Sequence, residues 1–457
     1  MKVLEVDLRL VQKYNVPGPR YTSYPPATHF SDKVDFEELQ RLIRINRQSE
    51  RDLSLYFHLP FCYSLCWYCG CTTVITPRQS DSAIYLDYLE KEMELVSRET
   101  NPRRKVVQIH WGGGSPSFLL PQEIRRLGEL TRTKFNVTAD VEASIEVDPR
   151  RIDRDHIQAM RDAGFNRASL GVQDNDPKVQ KAVHRIQPRE LTEQVAGWIR
   201  DAGFQSLNID LIYGLPLQTP ESFSKTLDEI LALNPDRFAV FNYAHVPWIK
   251  PHQRIFKDGM LPTPEVKLAL LKTTIERLTG AGYVYIGMDH FARSTDELAV
   301  AQRSKTLQRN FQGYSTRAGA DIFGFGMSSI SQADSIYWQN EKDLPTYYQR
   351  LAGGQLPLHK GYILTEDDRI RRWTIMRLMC DLGLDYDAMS ASLGIDFRRY
   401  FAREIASLSD LEADGLLRRE DGRLEVSDVG RLLIRNIAMR FDALLPRETE
   451  KRYSRTV

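Results

Sequence analysis

Four of the five cysteines stand within ten residues, at Cys62, Cys66, Cys69 and Cys71, in the stretch YFHLPFCYSLCWYCGCT (56–72). The first three are spaced Cys-x3-Cys-x2-Cys. Zinc sites generally pair their ligands in two separated couples, and no second couple exists. The fifth cysteine, Cys380, is alone in a helical segment near the C-terminus. His58 is a conceivable fourth ligand, but it lies on a strand and nothing else supports it. Three thiolates on one compact loop suit an iron–sulfur cube held at three corners, with one iron open for a ligand. Zinc, or no metal, is the alternative.

The elements that must position this loop form a repeat. Short segments rich in β-branched residues, at 53–59, 106–111, 141–147, 167–172, 207–214 and 237–243, predict strands. Amphipathic stretches between them, at 83–98, 121–133, 154–163, 188–202 and 220–232, predict helices. Strict alternation implies parallel βαβ units, arranged as a partial or full barrel or an open doubly wound sheet. The preferred reading is an α/β, TIM-like partial (β/α)6 barrel over 51–364. Ligands gather at the C-terminal strand ends in either case, and the cysteines follow the first strand.

Residues 1–50 form an arm whose prolines and glycine in KYNVPGPRYTSYPPATHF forbid helix, followed by a helix over about 35–47. Residues 365–457 read as a mostly helical, winged-helix-like domain, with LLRREDGRLEV as its β-wing. Its charges are mixed, so it reads as a packing or lid domain and not as a nucleic-acid binder.

Later strands deliver polar groups to the same end. The second ends in HWGGGSPS (110–117), where Gly113 and Gly114 let backbone approach a ligand and Ser115 precedes a helix start. The third delivers Glu146, the fourth Gln173 with Arg185 soon after, and the fifth Asp210. Buried polar groups are costly without partners. Any one can be structural; four on successive units point to a polar ligand. Carboxylates suit ribose hydroxyls or an ammonium, and Arg185 suits a carboxylate.

The cysteine spacing after the first strand of a β/α repeat resembles the radical S-adenosylmethionine (SAM) superfamily, including an aromatic residue, Tyr68, just before the last ligand. That resemblance implies a 4Fe–4S cluster whose open iron binds SAM, one-electron cleavage of SAM, and a 5′-deoxyadenosyl radical. PGPRYTSYP (17–25), CYSLCWYCGC (62–71), HWGGGSPS, SLGVQD (169–174), NIDLIYGLP (208–216) and RNFQGYST (309–316) together resemble one family within it, the oxygen-independent coproporphyrinogen III oxidases of heme biosynthesis.

The family resemblance implies anaerobic oxidative decarboxylation of two propionates of coproporphyrinogen III to vinyl groups, giving protoporphyrinogen IX. It implies Cys62, Cys66 and Cys69 as cluster ligands and two SAM molecules. Tyr56, Gly113, Glu146 and Ile330 would touch the SAM on the cluster, with Tyr68 near it. Gly114, Ser115, Gln173, Arg185, Asp210 and Ala244 would touch the second. Heme-chaperone-like proteins on the same fold are the alternative; they usually lack Cys71, the proline-rich arm and FQGY (311–314), all present here. Where the family typically carries Asn and Thr, this chain carries Thr72 and Ser115. Cys71 is a candidate catalytic residue, with a packing thiol equally consistent. Arg20 and Arg309 are candidate propionate partners. Tyr21, Phe311, Gln312 and Tyr314 are candidates around the macrocycle. The arm is a candidate lid that keeps water and oxygen from the radical.

Composition limits the other classes. The formal net charge of +1 provides no field toward nucleic acid or membrane. The N-terminal residues carry charges and no apolar core, so no signal peptide is expected. No apolar run approaches the ~20 residues of a membrane span. The cysteine usage predicts a reduced, cytoplasmic protein, monomeric by default, served by an electron donor and acceptor that the sequence does not identify.

Overall fold

The computed structural model describes residues 6–257 and 259–445. Residues 1–5, 258 and 446–457, which include the outer ends of the expected arm and C-terminal segment, lie outside the described residues.

All six expected strands are present: β1 (Leu53–Leu59), β2 (Lys105–Gly113), β3 (Asn136–Val147), β4 (Arg167–Gln173), β5 (Ser206–Tyr213) and β6 (Arg237–Asn242). They lie side by side in chain order, and each neighbouring pair is parallel. Order without reversal is the single winding of a β/α barrel, which removes the doubly wound alternative. An antiparallel pair, β7 (Tyr283–Gly287) and β8 (His290–Arg293), follows β6. On the other edge, β9 (Asp321–Phe325) runs parallel to β1 and is followed by antiparallel β10 (Ile330–Gln332), β11 (Ile336–Asn340) and β12 (Leu358–Ile363). The repeat did not reveal these strands, because no single βαβ period leads into them.

The intervening helices fall at Ser80–Glu99, Pro121–Lys134, Arg154–Asp162, Arg189–Asp201 and Pro220–Leu231. Their starts are written locally. Thr219 accepts the Ser222 N–H with Pro220 in the first turn, and Asp153 accepts the His156 N–H. Period-two alternation then sorts the strand faces. On β3, Ala143, Ile145 and Val147 are buried against helices, while Ser144 and Glu146 face inward. On β5, Leu207, Ile209 and Leu211 are buried, while Asn208 and Asp210 face inward. Each fully buried aliphatic side chain contributes about 1.5–3 kcal/mol, so this pattern fixes which residues point to the interior.

The C-terminal unit opens with the helix Glu366–Asp381. Leu382, at φ 56°, ends it, and Gly383–Asp385 joins the expected hairpin Leu417–Glu420/Arg423–Val426 as a third strand. Before the hairpin lie three short helical pieces, Phe397–Tyr400, Ala402–Ala406 and Ser409–Ala413. Ser407 donates its hydroxyl to the Glu404 carbonyl at the second break.

The arm is stapled between sheet and C-terminal unit. Tyr21 and Tyr24 join the apolar cluster of Met379, Phe401 and Phe441. Arg435 donates to the carbonyls of Gly18 and Pro19, and Tyr337 donates its hydroxyl to the Tyr24 carbonyl. No helix among the described residues is long and apolar enough to cross a membrane.

Candidate active site

The cysteine loop leaves β1 and is closed at its base by a parallel two-residue pairing, Phe61–Cys62 with Val74–Ile75. Its backbone is held from three sides. The Trp67 N–H donates to the Val183 carbonyl at 3.0 Å. The Lys250 ammonium donates to the Cys71 carbonyl at 2.7 Å, and Gln253 donates to the Tyr68 carbonyl at 3.1 Å. His252 Nε2 meets the Cys69 carbonyl at 2.9 Å. His58 is not aimed at the thiols: its Nε2 meets the Thr72 carbonyl at 2.9 Å and its Nδ1 the Tyr56 hydroxyl at 3.1 Å.

All four cysteines line one cavity of about 590 Å3 that runs into the barrel interior. Burial, then the charges of Cys69, Asp148 and Cys66, pushes the Cys62 thiol up to about 12. Thiolates packed this closely need a cation among them. The Cys71 thiol hydrogen-bonds Cys69, which favours the Cys69 thiolate and the protonated form of Cys71. No three His, Cys, Asp or Glu side chains among the described residues converge on a single ion. Ligands of a four-iron cube stand farther apart than ligands of one ion, so the all-sulfur donor set fits a cluster.

The glycine stretch after β2 forms the cavity's next wall. Gly113 has φ +119°, which a side chain rarely adopts, and a Cβ on Gly114 would lie 2.3 Å from the Pro60 carbonyl oxygen. Here bare backbone is pressed against the start of the cysteine loop. Glu146 Oε2 accepts the Gly113 N–H at 3.3 Å, and its Oε1 lies 3.3 Å from His110 Nε2. His110 stacks on Tyr56, 5.9 Å between ring centres, and holds Ser144 Oγ at 2.6 Å through Nδ1. His110 was missed as a site residue; its place two residues before the glycines on an inward strand position was the available signal.

Asp210 accepts from the Ser169 hydroxyl at 2.8 Å and from Asn208 Nδ2 at 2.7 Å. Burial pushes its carboxyl up to about 7, against the pull of those two donors. Gln173 lines the same wall with φ 72°. Arg185 is buried, pairs with Asp148 at 3.2 Å, and keeps a buried Nε with no partner. Ser115, Tyr68 and Ala244 also line the cavity. Unpaired Arg185 Nε and the side-chain-free glycine wall fit a polar cofactor carrying a carboxylate.

Tyr56 and Ile330 are not among the residues lining this cavity. They come near each other across β9: Gly324 pairs with Tyr56, and a Cβ on Gly324 would lie 2.7 Å from the Ile330 carbonyl oxygen.

The candidate substrate residues divide. Gln312 and Tyr314 line the cavity far from the thiols, and Gln312 Nε2 has no partner. Arg309 is buried beneath Tyr314. Arg20 is half-buried and ion-pairs with Asp289. Tyr21 donates its hydroxyl to Asp442 at 2.8 Å, and Phe311 packs edge-on to Phe30 and Tyr337. His290, not anticipated, lines the same end with an unpartnered Nδ1.

The barrel, thiol loop and glycine wall define a radical SAM protein. The family model described as the Radical SAM superfamily matches residues 56–230, and that described as the HemN C-terminal domain matches 364–433. Over 458 residues, 99% of each chain, the sequence is 48% identical to the oxygen-independent coproporphyrinogen III oxidase of Salmonella typhimurium. It is 45% identical to that of Synechocystis, over 99% of this chain and 98% of the relative. A solved structure, coproporphyrinogen III oxidase HemN from Escherichia coli, described as a radical SAM enzyme, superposes with a TM-score of 0.92 at 47% identity. It covers 97% of this chain and 100% of its own. The chain belongs to the oxygen-independent coproporphyrinogen III oxidase family. Membership brings a 4Fe–4S cluster and SAM, and it does not favour the heme-chaperone alternative.

Proposed function

We infer that this chain catalyses oxygen-independent oxidative decarboxylation of coproporphyrinogen III. Two propionates become vinyl groups, giving protoporphyrinogen IX and carbon dioxide in heme biosynthesis. The observation that carries this reading is a single cavity lined by the clustered thiols, by Glu146, Asp210 and Arg185 with its unpartnered Nε, and by Gln312 with an unpartnered Nε2.

When bound, the cluster and SAM supply the one-electron chemistry that removes a hydrogen atom from a propionate β-carbon. Cys62, Cys66 and Cys69 hold three corners of the cluster. Glu146, oriented by His110 and the Gly113 N–H, accepts the ammonium of the cluster-bound SAM, with Tyr56, Gly113 and Ile330 around it. Asp210 accepts ribose hydroxyls of a second SAM, and the spare Arg185 Nε takes its carboxylate. Tyr68, Gly114, Ser115, Gln173 and Ala244 complete that second site. Cys71, which lines the same cavity beside the three ligands, has a catalytic role.

Arg309 and Arg20 receive propionates that are not reacting. Burial, then the charge of Arg309, lowers Arg20 to about 10, and a propionate there would join Asp289 as its counter-charge. Tyr21, Phe311, Gln312 and Tyr314 shape the surface for the macrocycle, and the arm that carries Tyr21 excludes water. The reading includes a cytoplasmic monomer with an outside one-electron donor and acceptor. The net charge of +1 supports the absence of a nucleic-acid or membrane partner.

Anaerobically reconstituted protein tests this. Protoporphyrinogen IX should form from coproporphyrinogen III only when SAM and a reductant are both present. Tight heme binding with no vinyl product would replace the reading.

A further inference from the structure

Among the clustered thiols, the Cys66 sulfur collects hydrogen-bond donors. Arg150 Nη2 lies 3.7 Å from Cys66 Sγ, and Arg185 Nη1 lies 3.8 Å from it. The Tyr68 hydroxyl hydrogen-bonds the same sulfur. Arg185 has its spare Nε for a cofactor carboxylate; nothing above gives Arg150 a task.

One carboxylate locks both guanidiniums. Asp148 Oδ2 accepts from Arg150 Nη2 at 2.6 Å and from Arg185 Nη1 at 3.2 Å, while Arg150 Nε donates to Asp148 Oδ1 at 2.9 Å. Asp148 is itself fixed. It caps the turn Pro149–Arg151, its N–H donates to Ser117 Oγ at 3.0 Å, and its carbonyl accepts from that hydroxyl at 3.3 Å. Arg185 is further tied to the Gly171 carbonyl at 2.8 Å. The fork of Arg150 therefore reaches Cys66 from a rigid base rather than as a loose surface side chain.

An N–H aimed at a ligand sulfur draws electron density from it and favours the cluster state with one more electron. We propose that Arg150 is a positioning residue that hydrogen-bonds the Cys66 thiolate and raises the reduction potential of the cluster. Arg150 acts only through that sulfur. The proposal rests on the reading of Cys66 as a cluster ligand.

A potentiometric titration of the reconstituted full-length protein without SAM, followed by electron paramagnetic resonance, tests it. In Arg150→Met the reduced-to-oxidised ratio at a fixed solution potential should fall about tenfold, which is about 59 mV for a one-electron couple. Asp148→Asn combined with Arg150→Met restores the local net charge and should keep most of that shift. Arg150→Lys, which keeps the charge but offers a single ammonium in place of the planar fork, should fall between. An unmoved midpoint in Arg150→Met at full iron content overturns the proposal. So does a return to the wild-type value in the double variant, since the field alone would then explain the shift. If Arg150→Met fails to load iron, Arg150→Lys decides, and no shift there overturns the proposal. Cys66→Ser is read separately: a full cluster in that variant removes the ligand assignment, whatever Arg150 does.

Discussion

The guanidinium of Arg309 lies over the ring of Tyr314, 4.7 Å from its centre. It is buried, its Nε and Nη2 go to the carbonyls of Tyr21 and Arg20, and its Nη1 has no partner. No described carboxylate lies within ion-pair distance of it. A buried cation without a counter-ion is expensive, and a carboxylate ligand relieves it. Arg309→Leu should raise KM for coproporphyrinogen III by about tenfold or more, roughly 1.4 kcal/mol. Arg309→Lys should recover part of it, with reductant-driven SAM cleavage little changed. Steady-state kinetics on both variants checks this; equal loss of both activities would make Arg309 a brace for the arm only.

The thiols should separate by role. Cys62→Ser, Cys66→Ser and Cys69→Ser should each lose the cluster. Cys71→Ser should keep it and lose turnover. Iron and sulfide counts beside the product assay read both effects. Full activity in Cys71→Ser would reduce Cys71 to packing.

His110 fixes Glu146 from one side and Tyr56 from the other. His110→Ala should weaken SAM binding by about tenfold, near 1.4 kcal/mol, without changing iron content. Equilibrium SAM binding to the reconstituted protein measures it. Unchanged affinity would leave the stack with only a structural role.

Asp210 gives a pH signature. Burial raises its carboxyl from 3.8 to about 7. Below about pH 4 it is protonated whether folded or unfolded and costs nothing. As pH rises toward 7 the unfolded chain has released a proton that the folded protein still holds, so stability falls across that window. The loss is on the order of 4 kcal/mol at most. Asp210→Asn, whose single amide oxygen can accept from only one of Ser169 and Asn208, removes the titrating group and should flatten this part of the profile in the cofactor-free protein. Denaturant titrations from pH 4.5 to 8 test it, and parallel profiles for both proteins would contradict it.

Gly114→Ala places a methyl 2.3 Å from the Pro60 carbonyl oxygen. That backbone cannot yield without moving the cysteine loop. The variant should fold with a reduced iron count, measured beside circular dichroism; normal loading would show that the loop has slack.

Much of this was legible before the fold was known. Strand alternation announced Glu146 and Asp210, because inward polar residues interrupt buried Ile145, Ile209 and Leu211. The Cys-x3-Cys-x2-Cys spacing needed no tertiary information. The strands after residue 283 were hidden, since short antiparallel strands such as Ile330–Gln332 carry too few residues to show a period. Arg150 and His290 were hidden for another reason. The sulfur that Arg150 reaches, on Cys66, and the cavity that His290 lines are assembled from segments remote in the chain, and arginine or histidine in a charged or apolar stretch has no local mark of function. Arg309 was suggested by charge, yet its lack of a carboxylate only appears once Tyr21 and Tyr314 close over it.

The most direct test uses coproporphyrinogen III carrying deuterium at the propionate β-carbons, turned over anaerobically with SAM and a reductant. Deuterium should appear in 5′-deoxyadenosine in step with vinyl product. 5′-Deoxyadenosine free of deuterium while vinyl groups form, or no vinyl product from fully loaded protein, would contradict hydrogen abstraction at that carbon.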